Sequence, residues 1–145
     1  VYSRELLVPM AETLRLLGLK AALVVHSDEG LDEISPLART EYALLYGGKV
    51  ETGEFRPPHQ TQVHTLDELR ADNKEKSLAM FRDVIAGKNT AGAYMTALNA
   101  AFAKKLFAAV KAGAPSFDPL PTGDEIVELY DLIMSGALSD VARFP

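Results

Sequence analysis

The apolar run "KAALVVH" at residues 20–26 constrains the fold most strongly, because the strand it predicts has no polar face. A strand that is apolar on both faces must be covered on both sides, which is typical of a central parallel strand. Before it, Ser3 is a candidate N-cap and Gly18 a candidate C-terminal glycine of a helix. A helix followed by a buried strand predicts an α/β layer. The residues expected on the buried helical face are Leu6, Leu7, Met10, Leu14 and Leu17.

The middle of the chain predicts an antiparallel hairpin. Two β-prone segments in "TEYALLYGGKVETGEFRP" flank Gly47 and Gly48, and Gly-Gly is a common hairpin turn. We therefore expect a central, mostly parallel sheet with one antiparallel hairpin near an edge, flanked by helices.

The second half of the chain is predicted to be helical. We place helices at about residues 66–71, 73–86, 91–112 and 123–134. Gly87, Gly113 and Gly136 stand where C-terminal glycines of helices belong. Three pairs have capping-box spacing: Thr65 with Glu68, Asp72 with Glu75, and Thr122 with Glu125.

Length and composition limit the domain count and the partners. A chain of 145 residues with 48% hydrophobic content predicts one domain over residues 1–145. Its net charge of -5 disfavours nonspecific binding to nucleic acid or a membrane surface. The absence of cysteine fits a reducing compartment, and with no apolar run long enough to span a membrane it predicts a soluble, cytoplasmic protein. Because the chain starts at Val1 with helix-like sequence, we expect it to be a piece of a longer polypeptide.

Directly beyond the predicted strand lies an acidic segment, "HSDEGLDEIS", at residues 26–35. Ligands of open α/β sheets bind beyond the carboxyl ends of strands, so this position suits a site. Asp32 and Glu33 are adjacent, and no lysine or arginine lies between Lys20 and Arg39. The residues alone leave two interpretations open. The segment is a solvated turn that caps the next element, or it binds a hard divalent cation, for which Mg²⁺ is the best match.

For the other polar residues that could bind a ligand, a structural role is favoured. His26 closes an apolar run and is interpreted as a hydrogen-bonded core residue, while His59 and His64 are interpreted as solvated. Asn99 lies among small apolar residues and is expected to contact the neighbouring loop. Lys104 and Lys105 are expected on the wet side of their helix. We find no Ser-His-Asp, Cys-His or Walker-type set.

The segment "VVHSDEGLDEIS" closely resembles the corresponding loop of anthranilate phosphoribosyltransferases. The resemblance extends to "VYSRELLVPMAETLRLLGLKAALVVH", to "DNKEKSLAMFRDVIAGKNTAGAYMTALNAAFA" and to "ELYDLIMSGALSDVARF". It therefore spans nearly the whole chain, but corresponds to the C-terminal part of such an enzyme. Ser27 replaces the glycine usual in this family, which we expect to stiffen the loop or narrow it for phosphate.

The resemblance implies transfer of a phosphoribosyl group from phosphoribosyl diphosphate to anthranilate, in tryptophan biosynthesis. In the family the Asp-Glu pair binds Mg²⁺, and the matching positions are Asp32 and Glu33, with Asp28 and Glu29 expected in an outer shell. The family's Gly-rich diphosphate loop and anthranilate-binding arginine have no counterpart and are expected upstream of Val1. The isolated chain is thus expected to be inactive, and the parent enzyme to be a homodimer.

Two other functions remain as alternatives. One is a non-catalytic relative of the same fold that binds nucleic acid or a protein partner. The other is a nucleoside phosphorylase of related architecture.

Overall fold

The computed structural model describes residues 1–57 and 62–139. Four α-helices and three strands follow one another as α1 (Leu7–Leu16), β1 (Ala21–Ser27), β2 (Thr40–Tyr46), β3 (Lys49–Phe55), α2 (Lys74–Ile85), α3 (Thr90–Ala112) and α4 (Gly123–Met134). Short 3-10 helices occupy Arg4–Leu6, Leu66–Leu69 and Ala137–Ser139.

The three strands form an antiparallel sheet in the order β1-β2-β3. β2 and β3 are joined at Gly47 and Gly48, whose φ angles of 56° and 78° suit a tight hairpin turn. The predicted hairpin is therefore confirmed. In the register of the other pair, Val24 lies opposite Ala43.

The broad prediction of an α/β fragment with helices around a sheet is confirmed, but the expectation of a mostly parallel sheet is wrong for the described residues. Both strand pairings there are antiparallel. A parallel pairing of β1 with β2 would need a crossover, usually a helix, whereas residues 28–39 contain no regular helix. The two apolar faces of β1 predict that it is covered on both sides, but they do not determine whether it pairs parallel or antiparallel with β2.

The structure confirms that β1 is covered on both faces, as its apolar sequence predicted. Val24 packs with Leu7 and Ala11 of α1 on one face of the sheet. Leu23 and Val25 face the other way and pack against the main core. The buried members of that core are Ile34, Phe55, Val63, Ala91, Tyr94, Leu98, Ala101, Phe102 and Ile126.

The predicted helices agree with the structure in number and approximate position. The boxes of Thr65 with Glu68 and of Thr122 with Glu125 are both present. The box predicted for Asp72 with Glu75 is wrong, because Asn73 is the N-cap and its side chain accepts a hydrogen bond from the Lys76 nitrogen at 2.8 Å.

The first helix differs most from its prediction. Ser3 makes no capping hydrogen bond, and its hydroxyl instead donates to the Glu5 carboxylate. The chain first forms the 3-10 turn before α1 begins at Leu7. Leu7 and Ala11 are buried, whereas Leu17, expected on the same face, is 71% exposed. Within residues 1–57 and 62–139, no helix is both long and apolar enough to cross a membrane.

Candidate functional site

The acidic loop, residues 28–39, connects β1 to β2 and packs against α3. The loop follows Ser27, which is the last residue of β1 and is fully buried. The Ser27 hydroxyl accepts a hydrogen bond from the Leu31 nitrogen at 2.9 Å, and the Ser27 nitrogen donates to the Leu31 oxygen at 3.2 Å. These bonds close the first turn of the loop, in keeping with the stiffening expected of serine here. A narrowing of the loop for phosphate stays a prediction.

Ser35 holds the second half of the loop. Its hydroxyl accepts hydrogen bonds from the nitrogens of Leu37 and Ala38, both at 2.9 Å, and donates to the Glu29 carboxylate. The Ser35 nitrogen donates to the Thr40 hydroxyl at 2.9 Å. The loop is therefore a hydrogen-bonded unit in which Glu29 takes part structurally. Sequence reasoning missed this arrangement, for which the Ser-Pro pair at 35–36 was the available signal.

Asp28 is paired with the arginine that ends the loop. The Arg39 guanidinium donates to Asp28 twice, from Nε to Oδ2 at 2.9 Å and from Nη2 to Oδ1 at 3.1 Å. Glu41 and Glu54 also contact Arg39, at 2.8 and 3.3 Å. These hydrogen bonds hold the pKa of Asp28 below its usual range, and the carboxylates raise the pKa of Arg39 further above its usual value. An outer-shell role for Asp28 and Glu29 stays a prediction.

Asp32 and Glu33 lie on the outer side of the loop, and both are exposed. The Asp32 side chain is 63% exposed, with its Oδ1 3.9 Å from the Val1 nitrogen. Across residues 1–57 and 62–139, no lysine or arginine forms an ion pair with either carboxylate. Arg39, the last residue of the loop, pairs with Asp28 instead. Neither acid therefore has a side-chain cation as an ion-pair partner among the described residues.

Glu33 also lines an open groove of about 740 Å³ between the acidic loop, α2 and α3. The groove is mostly apolar, with Leu31, Phe81 and Met95 among its walls. Within the described part of the chain, no group of three or more His, Asp or Glu side chains could hold a metal ion unaided. A cation at Asp32 and Glu33 would therefore need further ligands from a substrate, water or other protein segments.

Asn99 makes the loop contact that its position in the sequence suggested. Its side-chain oxygen accepts from the Ile34 nitrogen at 2.9 Å, and its side-chain nitrogen donates to the Ile34 oxygen at 3.0 Å. The amide thus meets both backbone polar groups of the residue that follows Glu33. The predicted structural contact is confirmed.

Among the remaining polar candidates, three have partners in the described part of the chain, namely His26, Lys104 and Lys105. Nδ1 of His26 is hydrogen-bonded to the Val1 oxygen at 2.9 Å, in agreement with its structural interpretation. His64 is exposed, as expected, whereas His59 lies outside the described residues. Lys104 and Lys105 contact Glu128 and Glu125 of α4 at 3.5 and 3.4 Å, so neither reaches the acidic loop.

Comparison with known proteins assigns the chain to a family. Residues 1–120 match the family described as "Glycosyl transferase family, a/b domain". The chain belongs to this family. It is 40% identical over 119 residues to the anthranilate phosphoribosyltransferase of Alkalilimnicola ehrlichii, a match that covers 81% of this chain and 34% of that protein. The enzyme of the same name from Hydrogenovibrio crunogenus is 38% identical over 101 residues, covering 69% of this chain and 30% of that protein.

Solved structures show the same fold. A variant of anthranilate phosphoribosyltransferase from Saccharomyces cerevisiae with Mg bound has a TM-score of 0.68 at 23% identity, over 97% of this chain and 39% of that one. The enzyme from the same organism in complex with 4-fluoroanthranilate has a TM-score of 0.67 at 22% identity, again over 97% of this chain and 39% of that one. The chain thus spans about a third of the length of the curated relatives it matches.

Proposed function

We propose that this chain is part of an enzyme that transfers the phosphoribosyl group of phosphoribosyl diphosphate to anthranilate, in tryptophan biosynthesis. The names of the relatives support the reaction, and membership of the glycosyl transferase family supports its class. Within the reaction, the chain supplies the acidic loop that binds Mg²⁺. The observation that carries this assignment is the adjacent pair Asp32 and Glu33, exposed together on a loop held in shape by hydrogen bonds.

The donor chemistry of the pair fits Mg²⁺. Both carboxylates are exposed, and no lysine or arginine in the described part of the chain forms an ion pair with either of them. Magnesium prefers oxygen ligands and is commonly held by one or two carboxylates together with substrate phosphates and water. A site with two carboxylates therefore offers as many protein ligands as Mg²⁺ commonly uses when a substrate phosphate is also bound.

The chemistry of the proposed reaction explains why carboxylates suffice. Breaking the bond between the ribose C1 and diphosphate leaves positive charge on the sugar and negative charge on the leaving group, so charge stabilisation matters more than a covalent nucleophile. Bound Mg²⁺ supplies positive charge to the diphosphate oxygens. Asp32 and Glu33 would hold that cation, while the bonds of Ser27, Ser35 and Asn99 keep the loop in place.

The proposal includes the context of the whole protein. The chain alone is inactive, because the diphosphate loop and the anthranilate-binding groups of the family have no counterpart in its sequence. The native-length protein is a cytoplasmic homodimer. Light scattering of the native-length protein tests the dimer, and an activity assay of the chain alone tests its inactivity.

Isosteric substitution of the two acids tests the site. Asp32→Asn and Glu33→Gln in the native-length protein keep the size of each side chain and remove its charge. Each variant should need a higher Mg²⁺ concentration for half-maximal formation of phosphoribosyl anthranilate, by at least the roughly 10- to 100-fold lost when an outer partner of a metal ligand is removed.

Matched controls are available on the exposed surface. Asp131→Asn on α4 and Glu51→Gln on β3 make the same chemical changes at exposed positions away from the loop. The controls should keep the parent's Mg²⁺ requirement. An unchanged requirement in both loop variants would refute the proposed metal site. Phosphorolysis of nucleosides without activity on anthranilate would instead favour a nucleoside phosphorylase.

A further inference from the structure

One side chain holds both backbone polar groups of Ile34. Oδ1 of Asn99 accepts from the Ile34 nitrogen at 2.9 Å while Nδ2 of Asn99 donates to the Ile34 oxygen at 3.0 Å. A primary amide offers one acceptor and two donors, so it can pair with a peptide as a neighbouring strand would. Asn99 therefore fixes both the position and the direction of the backbone at Ile34.

The helix fixes Asn99 in turn. Nδ2 also donates to the Met95 oxygen at 3.0 Å, one turn earlier on α3. Leu98, next to Asn99 on this helix, is fully buried, and Phe102 is 3% exposed. The Asn99 amide is thus attached to one of the best-packed elements of the molecule, and the loop takes its position from that element.

The acidic pair lies between two such attachments. Leu31, before Asp32, is bound to Ser27, and Ile34, after Glu33, is bound to Asn99. Consecutive Cα atoms are about 3.8 Å apart, so a shift of the backbone at Ile34 moves the Glu33 carboxylate directly. Both neighbours of the pair are therefore held by the strand end or by α3.

We propose that Asn99 is a positioning residue for the acidic pair, and that its hold on Ile34 determines how tightly Asp32 and Glu33 bind a divalent cation. The inference rests on the function proposed above for these two acids. Ile34 itself is 3% exposed and packs in the main core, so apolar contacts keep this segment folded when the amide is removed. Loss of the Asn99 amide would then change the positions of the Asp32 and Glu33 carboxylates, while the protein stays folded.

Asn99→Leu in the native-length protein tests the proposal, because leucine has a similar size and cannot form the two hydrogen bonds. The control is Asn89→Ala, since Asn89 caps the N-terminus of the same helix by accepting from the Gly92 nitrogen at 2.8 Å. Calorimetric titration with Mg²⁺, in the presence of inorganic diphosphate, measures affinity directly. Steady-state assays over a range of Mg²⁺ concentration then separate KM for the cation from kcat.

We expect Asn99→Leu to raise the dissociation constant for Mg²⁺ about tenfold, the lower end of losses when an outer partner of a metal ligand is removed. At saturating Mg²⁺ its kcat should stay near that of the parent, because the amide is engaged by backbone atoms of Ile34 and Met95. Asn89→Ala should lower stability without changing Mg²⁺ affinity.

The two proposals fail in different ways. Parental Mg²⁺ affinity in Asn99→Leu, together with lost affinity in Asp32→Asn, would overturn the role of Asn99 and leave the metal site standing. Parental affinity in Asp32→Asn and Glu33→Gln would overturn the site itself.

Hydrogen exchange gives a test that needs no substitution. In the unsubstituted protein, the Ile34 amide should exchange more slowly than those of Asp32 and Glu33, because Asn99 accepts its hydrogen. An Ile34 amide that exchanges as fast as theirs would overturn the proposal even if the leucine variant does not fold.

Discussion

Ser35→Ala should destabilise the chain by about 2 kcal/mol, although it removes a single oxygen atom. Ser35 is fully buried, and its hydroxyl serves the nitrogens of Leu37 and Ala38 and the carboxylate of Glu29. A typical hydrogen bond contributes about 1 kcal/mol net, and bonds to charged groups contribute about 1.5 to 3 kcal/mol. Adding the three bonds gives about 4 kcal/mol, but all three partners are partly exposed. Water can replace part of the loss, so about half of that sum is expected.

Urea unfolding of the chain, followed by circular dichroism, measures the loss. The midpoint should fall while the slope of free energy against urea concentration stays the same, because the surface exposed on unfolding hardly changes. Ser135→Ala is the matched control, since the Ser135 hydroxyl donates to the Leu132 oxygen at 2.7 Å on an exposed surface. Its effect should be within about 0.5 kcal/mol.

Glu29→Gln separates the contributions within Ser35→Ala. Glutamine keeps an acceptor for the Ser35 hydroxyl and leaves both backbone bonds intact, so the loss should be smaller than in Ser35→Ala. If Ser35→Ala unfolds at the same urea concentration as Ser135→Ala, the reasoning is refuted, because the loop would then be held by contacts other than the Ser35 hydroxyl.

Two further predictions concern the core and the pH dependence of stability. Leu98→Ala, at a fully buried position, should lower the free energy of unfolding by about 2 to 5 kcal/mol. Leu17→Ala, at a 71% exposed position, should change it little, and equal losses in urea unfolding would contradict the placement of the core. Because hydrogen bonds from Arg39 lower the pKa of Asp28 below its ordinary 3.8, their stabilisation is complete above that value and lost as the pH falls through the lowered pKa. Asp28→Asn should remove this part of the acid dependence of unfolding, whereas a profile identical to that of the parent would disprove the contribution of the pair.

Local signals explain what the sequence predicted well. The hairpin at Gly47 and Gly48 and the capping pairs that begin at Thr65 and Thr122 depend on residues close together in the chain. In each of these features the backbone hydrogen bonds are made within a few residues, so the local sequence is enough to predict the structure. At the start of α2 the wrong residue was predicted as N-cap: Asp72 was expected, whereas Asn73 caps the helix.

Long-range features were less accessible. The contact between Asn99 and Ile34 joins residues 65 positions apart, and only its general nature could be predicted. The bidentate pair of Asp28 with Arg39 was not foreseen, because which acid Arg39 meets depends on how β1 and β2 pair.

The sequence by itself determined the order of helices and strands, the burial of β1 on both faces, and the presence of adjacent acids beyond its end. These follow from periodicity, capping and charge, which act over a few residues. Only the tertiary structure decided that β1 pairs antiparallel with β2, that Arg39 goes to Asp28, and that α3 holds the loop beside Asp32 and Glu33. Those outcomes depend on which distant groups can satisfy one another's hydrogen bonds and charges once the core has formed, and no short stretch of chain encodes that choice.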